Sequence, residues 1–213
     1  MLIDHVGLYL CHNAIWMRAI GRIAMPLFCF MLAEGFRHTK GRRKQYFLRL
    51  LIFAFVAQLP FDLSHSLINS QSGIHLNVLF TLTIGFMAMA LIEHGKWSMI
   101  LLPILVVLAE YLNADYGAYG VLMIVGFYVF SQLFKRKKHQ IWRWSGYIFV
   151  LIGITTLMTV IRNAPIQLFA VFAIFPIILY NGKLGHRLPK YFGYIFYPVH
   201  LLVIFWLRLL LFP

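Results

Sequence analysis

GRIAMPLFCFMLAEGFRHTKGRR, residues 21–43, is the stretch whose reading decides the fold. It begins as a membrane-length apolar run and ends in a dense basic cluster. Two ionisable side chains lie inside the apolar part, Arg22 near one end and Glu34 near the other. Charge in hydrocarbon is costly, so such residues face a bundle interior or a wet cavity. The basic cluster marks the cytoplasmic end. Arg22 and Glu34 stand about 18 Å apart along a helix, at 1.5 Å per residue. They cannot pair, and they belong to opposite ends of one route through the bundle.

The rest of the chain has the same character. Of its 213 residues, 62% are hydrophobic and 12% are charged, where a soluble domain is about half apolar and about a quarter charged. The fold class this implies is all-α, a polytopic transmembrane helix bundle forming one integral-membrane domain over residues 1–213. The apolar runs are too long and too continuous for barrel strands. The net charge of +13 would raise nucleic acid as a partner in a soluble protein. Here the basic residues fall in short loops, where they set topology and meet membrane lipids, and no nucleic-acid partner is expected. Cys11 and Cys29 have neither metal nor disulfide spacing, the histidines are scattered, and no metal site is expected. No cleavable leader is visible.

Nine apolar runs are read: 1–11, 18–36, 46–63, 75–92, 97–112, 117–134, 144–161, 165–180 and 191–211. The first falls short of the roughly 20 residues of a full span. It is either a partial helix or one whose start lies upstream. The loop after the second run carries Arg37, Lys40, Arg42, Arg43 and Lys44, and the next carries no Lys or Arg. Lys96 marks the following loop, residues 113–116 have no Lys or Arg, and Lys135–Lys138 with Arg143 come next. Arg162 alone marks the seventh turn, and Lys183, Arg187 and Lys190 the last. This alternation follows the positive-inside rule. It puts the N-terminus in the cytoplasm and the C-terminus on the periplasmic or extracellular side of a bacterial inner membrane.

Few residues in these runs can carry chemistry. Asp4 and His5 lie in the first run, where helical spacing puts His5, Tyr9 and His12 on one face. A histidine there suits a general base, or sits at the headgroup level. Arg22 lies one turn from Arg18, which can snorkel outward. Arg22 is deeper and needs a partner such as Asp4 or Asp62, for helix pairing or for catalysis. Glu34, Arg37 and His38 share a face beside Arg42 and Arg43, forming a cationic mouth that could hold the phosphates of a nucleotide-bearing donor. On the opposite side come Gln58, Asp62, His75, Asn77, Asp115 and Tyr116, read as an acceptor pocket or as loop and cap chemistry. Tyr197 and His200 share a face of the last run, across Pro198. No H-E-x-x-H, phosphate-cradling G-x-x-x-x-G-K-[ST] or G-x-S-x-G is present.

MLIDHVG at the start, then IGRIAMPLFCFMLAEGFRHTKGRR, YFLRLLIFAFVAQLPFDL, NVLFTLTIGF, DYGAYGVL and FYPVHLL resemble the TraX family over nearly the whole chain. These are inner-membrane proteins linked to conjugative pili, and TraX acetylates the pilin N-terminus. The resemblance extends to membrane acyltransferases that take an acetyl group from cytoplasmic acetyl-CoA. It implies acetyl-CoA as donor, a cationic cytoplasmic mouth, and pilin or a surface polymer as acceptor. His5 would then be the base or a transient acyl carrier, Asp4 its support and Arg22 the oxyanion stabiliser. The acceptor would lie against Gln58, Asp62, His75, Asn77, Asp115, Tyr116, Tyr197 and His200. Two other readings use the same residues: a proton-coupled small-molecule transporter, with Asp4, His5, Glu34 and Asp62 as relay, and a non-catalytic pilus-assembly protein.

Overall fold

Helix is the only backbone arrangement that satisfies its own polar groups over runs this apolar, and in the computed structural model every named element among the described residues is helical. It describes residues 1–11, 13–67, 75–95, 97–134, 140–182, 189 and 191–212, with residue 140 as backbone only. His12 and most of the basic loop residues assigned to the inner side after residue 95 lie outside the described residues. In order the helices are α1 (Leu2–Tyr9), α2 (Ile15–Gly21), α3 (Ala24–His38), α4 (Arg43–Ser66), α5 (Val78–His94), α6 (Leu102–Tyr111), α7 (Gly117–Leu133), α8 (Gln140–Arg162), α9 (Ile174–Leu179) and α10 (Phe192–Leu211). Short 3-10 turns precede α4 and α6, and a longer one, Pro165–Ala173, precedes α9.

Among the described residues, four helical segments are long and apolar enough to cross a membrane: Ile15–His38, Lys40–Ser66, Ile141–Arg162 and Phe192–Leu211. Four more are apolar but shorter: Val78–His94, Ser98–Tyr111, Gly117–Leu133 and Pro165–Leu179. The last of these gains reach from its 3-10 portion, which rises about 2.0 Å per residue against 1.5 Å in an α-helix. The first run is helical only over Leu2–Tyr9. The second run is not one uniform helix. Pro26 lacks the N–H that the Arg22 carbonyl would accept four residues earlier, and the chain bends at Arg22–Ile23 with tightened three-residue bonds.

The packing is that of a membrane bundle. Small residues close the helix crossings, with Ala33, Ala54 and Ala57 fully enclosed. Aromatic side chains fill the centre: Phe36 meets Phe86 and Tyr128 edge-on, and Phe30 meets Phe127 and Tyr147 in the same way. The outer faces are apolar too. On α4 alone Ile52, Phe55, Val56 and Leu59 are exposed, a surface suited to lipid rather than water.

Ion pairs fix both ends. Arg43 at the start of α4 clasps Glu93 near the end of α5, and the Tyr128 hydroxyl donates to the same carboxylate at 2.9 Å. At the other end Arg162 binds Glu110 at 2.8 Å, so the basic residue of that turn is neutralised by an acid. Two loops are stitched there by a single bridge, in which Leu76 N donates to the Asn113 carbonyl and Asp115 N to the Leu76 carbonyl.

Candidate functional site

The site begins with two glycines. A Cβ at Gly7 would stand 2.7 Å from Met17 Cβ, and one at Gly21 would stand 2.2 Å from Asp4 Cβ. Only glycine lets α1 fold back this tightly on α2. The close approach delivers the Asp4 carboxylate to two arginines. Arg22 Nη2 donates to Oδ1 at 2.8 Å and Oδ2 at 3.1 Å, and Arg18 Nη1 lies 2.8 Å from Oδ1. Arg18 therefore does not reach outward as its position suggested. Its charge is drawn to the same buried carboxylate, and it also donates to the Asp4 carbonyl. Arg22 further donates to Gln167 Oε1 at 3.4 Å and lies 5.7 Å from the Tyr116 ring centre, while its Nε is buried without a partner.

His5, one residue on, does not contact this cluster through Asp4. Its partner comes from the far end of the chain. His5 Nδ1 lies 2.7 Å from His200 Nε2, and the rings stack with centres 5.0 Å apart and planes 9° apart. His200 Nδ1 lies 2.8 Å from the Phe196 carbonyl oxygen, which can only accept. With both rings neutral, Nδ1 of His200 carries the proton and its Nε2 accepts from His5 Nδ1–H. His5 Nε2 is then left with a free lone pair. Pro198 has no N–H to give the Tyr194 carbonyl four residues earlier in α10. Tyr9 and Tyr197 flank the His5 ring at 6.0 and 6.4 Å.

A cavity of about 180 Å³ opens beside these groups. Asp4, His5, Arg18, Arg22, His75, Asp115, Tyr116 and Tyr197 all line it. His65, absent from the sequence reading because it lies beyond the apolar run, lines it as well, with its ring against Phe61 and 5.0 Å from His75. Its three-to-four-residue spacing from Phe61 and Asp62 was the available signal. Asp115 sits in the turn between α6 and α7, where burial pushes its carboxyl up to about 6 against the opposing pull of Arg22. Tyr116 holds a left-handed backbone, φ 65°, to begin α7.

The remaining predicted acceptor residues do structural work. Asn77 caps α5 by accepting from Leu79 N, and its amide donates to the Ala54 carbonyl and to Gln58 Oε1. Gln58 in turn donates to Asp62 and to the His75 carbonyl at 2.6 Å. Gln58, Asp62 and Asn77 thus tie α4 to the start of α5 and do not line the cavity.

The predicted cationic mouth lies toward the opposite end. Arg37 pairs with Glu34 at 2.9 Å, and His38 Nε2 lies 3.6 Å from the same carboxylate. Arg43 is held by Glu93 and stacks 3.9 Å over the Phe36 ring. Arg42 is exposed in the 3-10 turn before α4. None of these five lines the cavity at His5. A cation missed by the sequence reading, Arg49 on α4, has its Nε buried without a hydrogen-bond partner. Among the described residues no group of three or more metal-ligating side chains converges.

Comparison with known proteins gives a match to the family described as TraX protein over residues 1–208. A probable fimbrial assembly protein FimC, serogroup H1, of Dichelobacter nodosus is 30% identical over 224 residues, covering 94% of this chain and 88% of that protein. An uncharacterized protein of Rickettsia prowazekii (strain Madrid E) is 42% identical over 59 residues, 28% of this chain and 21% of that one. No solved structure matches.

Proposed function

The chain belongs to the TraX family, and on that premise we propose that it is an inner-membrane acyltransferase moving an acetyl group from acetyl-CoA to an acceptor on a pilin or other surface molecule. The observation that carries this reading is the His5–His200 contact through His5 Nδ1, which leaves Nε2 as the ring's other nitrogen, in a residue that lines a cavity together with Arg22. In the reaction the acceptor N–H or O–H gives its proton to His5 Nε2 as its heteroatom attacks the thioester carbonyl. The oxyanion that forms is met by the unpartnered Arg22 N–H, an arrangement worth a few kcal/mol, roughly 3, in comparable sites. Collapse breaks the C–S bond, and His5 returns the proton to the departing thiolate. Asp4 holds Arg22 in place and lowers the net charge of the arginine pair.

The Dichelobacter relative's name, fimbrial assembly protein, supports a pilus-related role and a pilin-type acceptor. It also supports a second reading, a non-catalytic assembly protein in which the same ion pairs only join helices. Purified protein incubated with labelled acetyl-CoA and pilin separates the two. The acyltransferase releases CoA thiol and labels the acceptor, and His5→Ala does neither. If wild type and His5→Ala are equally inert while both support pilus assembly, the assembly reading stands. The orientation that goes with the proposal has the Arg43 end in the cytoplasm, where acetyl-CoA is available.

A further inference from the structure

A second cavity, of about 280 Å³, adjoins the first. It lies where two helices part. Among the described residues α10 packs on α4 and α1, and α3 packs on α5 and α7, with no packed face between α3 and α10. Phe28 and Met31 of α3 form one side of the cavity, Gly193 and Tyr197 of α10 the other, and Leu50 of α4 with Leu82 of α5 the floor. The floor is enclosed, with Leu50 3% and Leu82 6% exposed, while Met31 at the rim is 53% exposed. Gly193 at the opposite rim is exposed too, and a Cβ there would meet open space. The cavity therefore opens sideways. Met31 stands roughly 10 Å along α3 from His38 at the basic end, at 1.5 Å per residue. The opening thus faces hydrocarbon and not the aqueous boundary, and Phe192, Ile195 and Phe196 of α10 are exposed apolar side chains close to it in the chain.

Phe28, Val78 and Tyr197 also line the His5 cavity, so the two spaces meet there. Tyr197 is 2% exposed, and its buried hydroxyl makes no hydrogen bond of good geometry. No Lys, Arg or His side chain lines the second cavity among the described residues. We propose that this cavity is a lateral lipid site, in which one acyl chain of a bilayer phospholipid enters between α3 and α10 with its ester at Tyr197. This stands apart from the acyltransferase reading, since it concerns what fills the cavity and not what His5 does. The wall selects a hydrocarbon. Its polar groups besides Tyr197 are the phenols of Tyr46 and Tyr194, too few partners for ordered water, and an empty space would forfeit the dispersion contacts of its lining. A partner helix is too wide, because one turn, 5.4 Å long and about 10 Å across, fills roughly 400 Å³. The junction selects a neutral ester. A free fatty acid would bring a carboxylate to a phenol with no basic side chain to balance it. An ester carbonyl accepts the Tyr197 O–H and needs no countercharge.

The test uses purified full-length protein in phosphatidylethanolamine nanodiscs doped in turn with two photoreactive probes, a phosphatidylethanolamine and a free fatty acid, each with a diazirine midway along an acyl chain. After irradiation, residue-level mass spectrometry is expected to find the phospholipid probe on Leu50 or Leu82, which surface lipid does not touch, as well as on the exposed Phe149. Leu82→Trp, which fills the floor, and Gly193→Trp, which blocks the rim, are each expected to abolish the label at Leu50 and leave that at Phe149 unchanged. Tyr197→Phe, which keeps the ring and loses the hydroxyl, is expected to reduce the label at Leu50. Thermal melting confirms that each variant is folded, and Gly193→Trp, placed in open space, serves if Leu82→Trp does not fold. Label confined to exposed positions in the wild-type protein overturns the proposal, and so does Leu50 label that survives a Trp substitution in a folded variant. Label at Leu50 from the fatty acid alone, or label undiminished in Tyr197→Phe, overturns the ester at Tyr197. Each of these outcomes is distinct from failure of the acyltransferase reading, because acetyl transfer is not what is measured.

Discussion

His5 and His200 stack with ring centres 5.0 Å apart and share a 2.7 Å Nδ1–Nε2 hydrogen bond, joining the first helix to the last. The Phe196 carbonyl fixes the proton on His200 Nδ1, and this fixes in turn the proton on His5 Nδ1. A backbone carbonyl thus does through His200 what a carboxylate does in other base-orienting arrangements. His5→Ala should cost about 10²–10⁴ in turnover, the usual contribution of general-base catalysis. His200→Phe should lower kcat about tenfold or more with KM nearly unchanged. His200→Gln, whose carbonyl can accept from His5 Nδ1–H, should recover part of it. Steady-state kinetics of the three variants check this, and equal activity of the Phe and Gln variants would remove the orienting role.

Asp4 carries two arginines at once, and its side chain is nearly buried. Removing one partner of a buried pair leaves an uncompensated charge and costs about 3–5 kcal/mol. Asp4→Asn leaves two cations facing each other, so it should destabilise more than Arg18→Gln. The double variant Asp4→Asn, Arg22→Gln should be less destabilised than the two single effects added together. Unfolding in detergent with a double-mutant cycle measures this, and strict additivity would mean that the contact carries no coupling.

The sequence declares the bundle because hydrophobic length and loop charge are local properties. Asp4, His5 and Arg22 stood out for the same reason, as polar groups in apolar runs. Arg18 and Arg22 were read as one turn of a helix, yet only the fold-back of α1 explains why both reach Asp4. That fold-back depends on Gly7 and Gly21, whose role is visible only once two helices are in contact. Asn77 and Gln58 looked like ligands because a cap and a loop tie use the same amides. Arg49 is a lone arginine within an apolar run, and only the packed helices show its Nε buried without a partner.

The α1–α2 contact gives a direct test of that dependence. A methyl group at Gly21 would collide with Asp4 Cβ at 2.2 Å. Gly21→Ala should destabilise the protein by about 1–3 kcal/mol through overpacking. It should also reduce activity more than that figure suggests, because it moves Asp4 and His5 together. Gly41→Ala, where nothing lies within 4 Å of the added atom, should change neither. Melting temperature and acetyl transfer measured side by side distinguish the two. A Gly21→Ala protein as active as wild type would mean that α1 need not dock closely.

Asp115 gives the protein a pH dependence of predictable sign. Burial raises its carboxyl to about 6, while the nearby Arg22 and Arg18 oppose the rise and Asp4 adds to it. A raised acid favours the protonated form in the fold, so its stability contribution is full below about pH 4, the unfolded value, and declines as pH rises through about 6. The protein should therefore be more stable at pH 5 than at pH 7 through this group, by about 1–1.5 kcal/mol. Asp115→Asn, which stays neutral throughout, should lose this slope and match the wild-type protein most closely at the acid end. Arg22→Gln removes an opposing charge, so the Asp115 carboxyl is held protonated to higher pH and the decline should extend further upward. In that variant the loss spreads to alkaline pH instead of ending near 6. Melting curves from pH 4.5 to 7.5 for the three proteins test both statements. Parallel curves for wild type and Asp115→Asn would show that Asp115 titrates as a solvent-exposed acid and has no part in the buried charge cluster.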